Sequence, residues 1–196
     1  MMELYFPTKK KIWCIGEMMH VKEVPAYAYR DFWSLKPKYL RWLFKLLSYV
    51  IAIPAAFLFQ HADTVAVYKD ARIRHTFRDT DAALEDGANV IIFPERVGEY
   101  NEIVNEFQDK FVDVARLYDR KHGKRLAFVP MYIAPRLHTV TFGSPIYFDP
   151  EQEIEEQRAV ICSYLQQEIT RMAKALPRHV VVPYDNVRKR EYPISK

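Results

Sequence analysis

Two cysteines in 196 residues exclude a disulfide-framework fold, and their settings argue against any bridge between them. Cys14 lies in an apolar strand-like run and Cys162 in a helical one, with no paired spacing of the kind zinc or redox chemistry needs. Both read as buried, reduced thiols of a cytosolic chain. The N-terminal residues Met-Met-Glu-Leu-Tyr-Phe-Pro-Thr-Lys-Lys-Lys show neither a basic-then-apolar layout nor a small-residue cleavage site, so a chain that is not secreted is expected. There is no internal repeat and no linker composition. A single domain over residues 1–196 is expected, with a basic tail over 178–196.

Acidic residues are missing from one long stretch. Between Phe32 and Ala62 there is no aspartate or glutamate, while Lys36, Lys38, Arg41 and Lys45 occur there. The tail from Arg178 carries five basic residues against two acidic ones, so the net charge of +4 is unevenly spread. Both segments suit anionic partners. Residues 39–59 are long enough to cross a bilayer, but Arg41 and Lys45 sit inside the segment and Pro54 interrupts it. On a helical wheel Tyr39, Leu43, Leu46 and Val50 gather on one side, with Lys38, Arg41, Lys45 and Ser48 on the other. That is the layout of a helix lying in a membrane interface, where Tyr39, Trp42, Phe44 and Tyr49 suit the headgroup level. A helix packed on a sheet with solvated basic residues fits the same pattern.

What is present is apolar and alternating. An apolar content of 49% with 14% aromatics excludes disorder and supplies a full core. Short strands are expected at residues 11–15 and 64–68, then a helix over 70–86 with Ile73, Phe77 and Leu84 on one face and Gly87 at its end. A second helix is expected over 102–122, with Ile103, Phe107, Phe111, Val114 and Tyr118 on one stripe and Gly123 after it. Strands follow at 126–133, 138–142 and 145–148, the last two parted by Gly143-Ser144. Asp149-Pro150-Glu151-Gln152 then opens a last helix with core residues Ile154, Ile161, Leu165, Ile169, Met172 and Leu176, stopped by Pro177. Helix, glycine, strand occurring twice predicts an α/β fold with a mixed, largely parallel sheet flanked by helices.

Residues 89–96, Asn-Val-Ile-Ile-Phe-Pro-Glu-Arg, form an uncharged apolar run that ends in a proline, a carboxylate and a guanidinium. In open α/β sheets ligands bind at the carboxyl ends of strands, so Glu95 and Arg96 stand where a site is expected. A strand followed by a loop with a surface ion pair is the alternative.

Phe93-Pro94-Glu95 resembles the Phe-Pro-Glu-Gly block of the glycerophospholipid acyltransferases, which include the 1-acylglycerol-3-phosphate acyltransferases. Three more pieces fall in that family's order. Val65-Ala66-Val67-Tyr68-Lys69 resembles the block ending in a basic residue, Phe128-Val129-Pro130-Met131 the later Val-Pro block, and Phe142-Gly143-Ser144-Pro145-Ile146 the closing Phe-Gly-x-Pro-Ile element. The resemblance implies a glycerolipid acyltransferase-like fold and transfer of a fatty acyl group from acyl-CoA or acyl carrier protein to a hydroxyl of a lysophospholipid or glycerol phosphate acceptor. It implies no cofactor and no metal, an anionic membrane surface as partner, and a peripheral place on the cytoplasmic side of a membrane. An acceptor phosphate needs cations, and Lys69, Arg72, Arg74 and Arg96 are those near the matching blocks. With Phe93, Pro94, Glu95 and Pro130 they make up the implied substrate-binding set. Glu95 would accept hydrogen bonds from the acceptor or hold a neighbouring arginine, the alternative being a structural ion pair.

Two residues depart from the family pattern. Lys69 stands where the family has arginine, offering a point charge in place of a fork. Arg96 stands where the family has glycine, and either replaces a phosphate contact or closes the pocket. The larger departure is the family's catalytic histidine, followed after four residues by an aspartate. His20, His61, His75, His122, His138 and His179 are followed at that position by Pro25, Ala66, Thr80, Ala127, Gly143 and Tyr184, so no catalytic residue is assigned. His75 and Asp79 have the spacing to pair on one helix, outside the family's catalytic block. The expectation is that Met1 falls inside the region that normally carries the pair, with the fold N-terminally incomplete. Two functions stay open: an acyltransferase shortened in this sequence, and a non-catalytic lipid- or partner-binding module on the same fold. No nucleic-acid motif is present, and none of that class is expected as partner.

Overall fold

The structure is a computed structural model describing residues 8–33, 38–96, 103–181 and 194. The expected tail and the first residue of the expected 102–122 helix lie largely outside them. The chain is mixed α/β and divides into two compact units, residues 1–93 and 94–196.

The first unit is built on a parallel sheet of order β2-β1-β3, with β1 Lys10–Ile15 central, β2 Thr64–Val67 and β3 Asn89–Ile91. Ile12 pairs with Thr64 and with Ile91, so all three strands end at one edge. The β1–β2 crossover carries α1 Val24–Ala28 and α2 Arg41–His61; the β2–β3 crossover is α3 Ile73–Glu85. β3 stops at Ile91, shorter than the apolar run suggested. α3 ends where Gly87 turns left-handed, at φ 74°, while Ala88 N–H reaches back to the Ala83 carbonyl at 2.9 Å.

The face of α3 that is buried differs from the expected one. Thr76, Thr80 and Ala83 are buried while Ile73, Phe77 and Leu84 are half-buried, because two threonine hydroxyls bond into the sheet. Thr76 donates to the Ala66 carbonyl at 2.8 Å and accepts the Tyr68 N–H at 3.2 Å, and Thr80 accepts the Trp13 indole N–H at 3.0 Å. Such buried hydroxyls cost little when each is paired.

α2 is continuous through Pro54, which removes only the usual donor to the Val50 carbonyl. Its inward stripe is Ser48, Ala52 and Ala56, packed with Val24 of α1 and with Met18 and Ala55. Ser48 therefore faces protein and not a solvated basic side, and its hydroxyl is satisfied by the Lys45 carbonyl at 2.6 Å.

In the second unit the pairing is antiparallel, so the expected largely parallel sheet is confined to the first. β4 Ala127–Phe128 pairs with β7 Ile146–Tyr147, and β5 Met131–Ala134 with β6 Thr139–Phe142. The run expected as one strand over 126–133 is thus two, broken at Val129-Pro130. The helix expected from residue 102 begins as a 3-10 turn, Asp109–Val112, followed by α4 Asp113–His122. Residues 105–108 cannot join it because their backbone is spent on a bridge: Glu95 pairs with Phe107, Arg96 N–H donates to the Glu106 carbonyl, and Gln108 N–H to that of Pro94. α4 ends at left-handed Gly123, φ 64°.

α5 Ile154–Ala175 contributes Ile154, Ile161, Leu165, Met172 and Ala173 to this unit's core, with Ile169 and, just after the helix, Leu176 half-buried. Asp149 closes the turn before the helix instead of capping it, accepting the Glu151 N–H at 3.2 Å. A largely buried ion pair, Arg158 to Asp113 through contacts of 2.7 to 3.0 Å, ties α5 to the first turn of α4.

Candidate functional site

The carboxyl edge of the parallel sheet gathers a polar cluster that local sequence reading missed. Ile15 of β1 pairs with Val67 of β2, and the next residue of each strand, Gly16 and Tyr68, are in contact. A methyl group on Gly16 would stand 2.3 Å from the Tyr68 ring, so only glycine lets that ring cross the end of β1. A 3-10 turn, Gly16–Met19, then delivers His20, whose Nε2 lies 2.8 Å from the Tyr68 hydroxyl with the rings stacked at 6.2 Å. The Arg72 guanidinium sits 4.3 Å from the centre of the Tyr68 ring. Burial raises the Tyr68 hydroxyl above its ordinary value, with nearby Arg72 opposing that shift.

Arg72 is not available as an acceptor-phosphate contact in this arrangement. Its Nε and Nη2 hold the Asp70 carboxylate at 2.8 to 3.1 Å, and Nη1 holds Glu23 at 2.9 Å. The hydrogen bonds it donates to Asp70 and then to Glu23 raise the arginine further, and the same arginine lowers Asp70. Glu23 keeps a second oxygen, Oε2, buried without a partner. Lys69 and Arg74 are exposed beside this cluster and carry no ion pair among the described residues. His75 and Asp79 do not pair; Asp79 accepts instead from Arg78 at 3.1 Å. Phe93, after β3, is 60% exposed.

The other four expected site residues belong to the second unit. The Pro94 carbonyl and Glu95 backbone are held in the bridge described above. The Glu95 carboxylate accepts the Asn105 N–H at 3.1 Å and holds no arginine among the described residues. Neighbouring atoms crowd this carboxyl group although the residue as a whole is exposed. That desolvation raises it above the ordinary carboxylate value, and the Asn105 N–H pulls it back in part. Arg96 reaches Glu106 at 3.5 Å in an exposed pair, so its charge faces a carboxylate. Pro130 is a fully buried core residue against Gly143, where an added methyl would meet its ring at 2.9 Å.

The first unit therefore brings Lys69, Arg72 and Arg74 near one sheet edge and adds His20, Glu23, Tyr68 and Asp70 to them. Tyr68 stood inside a family-like block whose lysine alone was singled out, and Gly16 directly after a strand was the visible cue to a close approach. The phenol–imidazole pair can pass a proton, and the free cations Lys69 and Arg74 can meet an anion. Among the described residues no three His, Cys, Asp or Glu side chains converge as a metal site. Burial raises both free thiols, that of Cys162 to about 11, which leaves them protonated and unreactive. No protein-family model, curated protein or solved structure matches the chain.

Proposed function

We propose that this protein transfers a fatty acyl group from an acyl-CoA or acyl carrier protein thioester to a hydroxyl of a lysophospholipid or glycerol phosphate acceptor. The hydroxyl oxygen attacks the thioester carbonyl carbon, the carbon–sulfur bond breaks, and the departing thiolate takes up the proton the hydroxyl gives up. The observation that carries the reading is the polar cluster at the carboxyl edge of β1 and β2, which coincides with the family-like block ending at Lys69. The remaining family-like blocks, in their family order, support it. In this reading Lys69 and Arg74 meet the acceptor phosphate, and His20, engaged with Tyr68, is the histidine offered for proton transfer. A glycerolipid acyltransferase-like fold is part of the same proposal.

The absence of a histidine with the family's spacing to an aspartate favours a second reading, a module that binds lysophospholipid without turning it over. One experiment separates them. The full chain is incubated with radiolabelled acyl-CoA and lysophosphatidic acid in mixed micelles, and both bound and acylated lipid are measured. Turnover that falls at least tenfold in His20→Ala, with binding weakened in Lys69→Gln, supports acyl transfer. Binding without turnover establishes the second reading, and neither binding nor turnover overturns both.

A further inference from the structure

α2 packs the wrong way round for a helix of a water-exposed surface. Its inward residues, Ser48, Ala52 and Ala56, are each 1% exposed and small, recurring every fourth position against α1. Its large residues point away: Trp42, Tyr49, Ile53 and Leu58 are 66 to 68% exposed, with Leu46, Val50 and Phe57 close behind. Only 22% of its most apolar window is buried, at a mean hydropathy of 1.9. Small residues toward a neighbouring helix and large apolar ones outward is the arrangement of helices whose surroundings are lipid.

We propose that α2 is embedded in the plane of an anionic bilayer leaflet, held to its own unit by the small-residue stripe and presenting Leu46, Val50, Ile53 and Phe57 to the acyl chains. The occupant is set by charge. No acidic residue lies between Phe32 and Ala62, and Arg41 and Lys45 are exposed at the helix's first turns. These two cations lie on the helix side away from Leu46 and Val50, so a second copy seated on the apolar face would leave them in water, whereas the anionic headgroups that flank an in-plane helix reach them.

The orientation follows from how the helix is tied. The middle of α2 packs on α1, the Gln60 side chain donates to the Met19 carbonyl at 2.7 Å, and the Thr64 hydroxyl to the Phe59 carbonyl at 2.9 Å as the chain enters β2. Near the other end Phe44 stacks on Trp33 at 5.7 Å, so both ends and the middle are fastened to one unit, and a helix 21 residues long cannot carry either end across a bilayer without tearing that packing. It lies flat in one leaflet, with Arg41 and Lys45 at headgroup level. This rests on α2 alone and stands whether or not acyl transfer occurs.

Flotation of the full chain with phosphatidylcholine vesicles, with and without phosphatidylserine, tests the proposal. Binding is expected to be stronger with phosphatidylserine. Arg41→Gln and Lys45→Gln should each weaken it about fivefold there and leave binding to pure phosphatidylcholine unchanged. Ile53→Glu should weaken binding to both by about a hundredfold with an unchanged circular dichroism spectrum. Tyr39→Cys and Gln60→Cys, placed at the two ends, should both react with an impermeant maleimide added outside the vesicles, above the unsubstituted chain. Labelling of one end only means a span and overturns the in-plane helix. Failure to float, or a solution dimer that Ile53→Glu makes monomeric, overturns the bilayer as occupant.

Discussion

Gly16→Ala is the sharpest test of the sheet-edge cluster, because its cost comes from one ring. Gly16 does not adopt a positive φ, so its backbone accepts alanine without strain. The added methyl, however, would stand 2.3, 2.6 and 2.8 Å from three atoms of the Tyr68 ring. Ordinary carbon contacts lie at about 3.5–4.0 Å, so the ring must retreat by about 1 Å. It is fastened on several sides: its hydroxyl at 2.8 Å from His20, its face under the Arg72 guanidinium at 4.3 Å, and its backbone N–H on Thr76 at 3.2 Å. A 1 Å shift stretches the His20 contact beyond about 3.2 Å, the usual limit for such a bond. Overpacking of this kind costs about 1–3 kcal/mol, and one kcal/mol lowers Tm by about 2–4 °C in a chain of this size. Urea denaturation of the wild type, Gly16→Ala, Tyr68→Ala and the double variant closes a cycle. Tyr68→Ala removes the three atoms the methyl crowds most, so the coupling should recover about 1–3 kcal/mol. A Gly16→Ala variant within about 0.5 kcal/mol of wild type, or a cycle with no coupling, refutes the Gly16–Tyr68 contact and the cluster built on it.

Thr80→Val keeps shape but removes the acceptor of the Trp13 indole N–H, and should cost about 1–2 kcal/mol in denaturation midpoint while Thr80→Ser costs less. Gly143→Ala would drive a methyl to 2.9 Å from the rigid Pro130 ring and 2.8 Å from Glu168 Cγ, which Arg171 holds through its carboxylate. A loss of about 1–3 kcal/mol is expected, and Glu168→Ala in the same chain should relieve only part of it. Glu95 carries the pH-dependent prediction. Its folded carboxyl is raised above its ordinary value of 4.5, so the folded chain binds the proton more tightly than the unfolded chain. Its stability cost is present above the folded value and disappears as pH falls to the ordinary one, so stability rises through that window on acidification. Glu95→Gln keeps the oxygen that accepts the Asn105 N–H and should remove this component. A wild-type-minus-variant stability difference that is flat between about pH 7 and about pH 4 would contradict it.

Local signals carried much of the fold. Gly87 and Gly123 end their helices in the left-handed conformation their positions suggested, and the alternating Val65 and Val67 region is a strand beside β1. The failures share a physical cause, which is that spacing measures periodicity and not pairing. The stripe Ile103, Phe107, Phe111 has helical spacing, yet Phe107 is bound in a bridge to Glu95 and meets Phe111 edge-on at 6.5 Å across the junction. In α3 the apolar residues marked the buried face only approximately, because Thr76 and Thr80 gain sheet partners that no local pattern announces. The site was less legible than the fold. His20 and Tyr68 are 48 positions apart and Glu23 and Arg72 are 49 apart, and only the parallel pairing of β1 with β2 brings each pair together.

The same pairing reverses the ranking of the cations nominated from sequence. Arg72 has the forked geometry that suits phosphate, but two carboxylates occupy it, and with Asp70 and Glu23 it forms a group of net single negative charge. An anionic headgroup approaching that group alone meets repulsion. Attraction comes from Lys69 and Arg74, which are exposed and unpaired among the described residues, and which turn the edge net positive. Arg72 then acts by fixing the Tyr68 ring and the turn through Glu23 that starts α1, so its loss is a loss of site geometry. Lys69 is left as an exposed point charge, while the neighbouring Arg72 takes both Asp70 and Glu23.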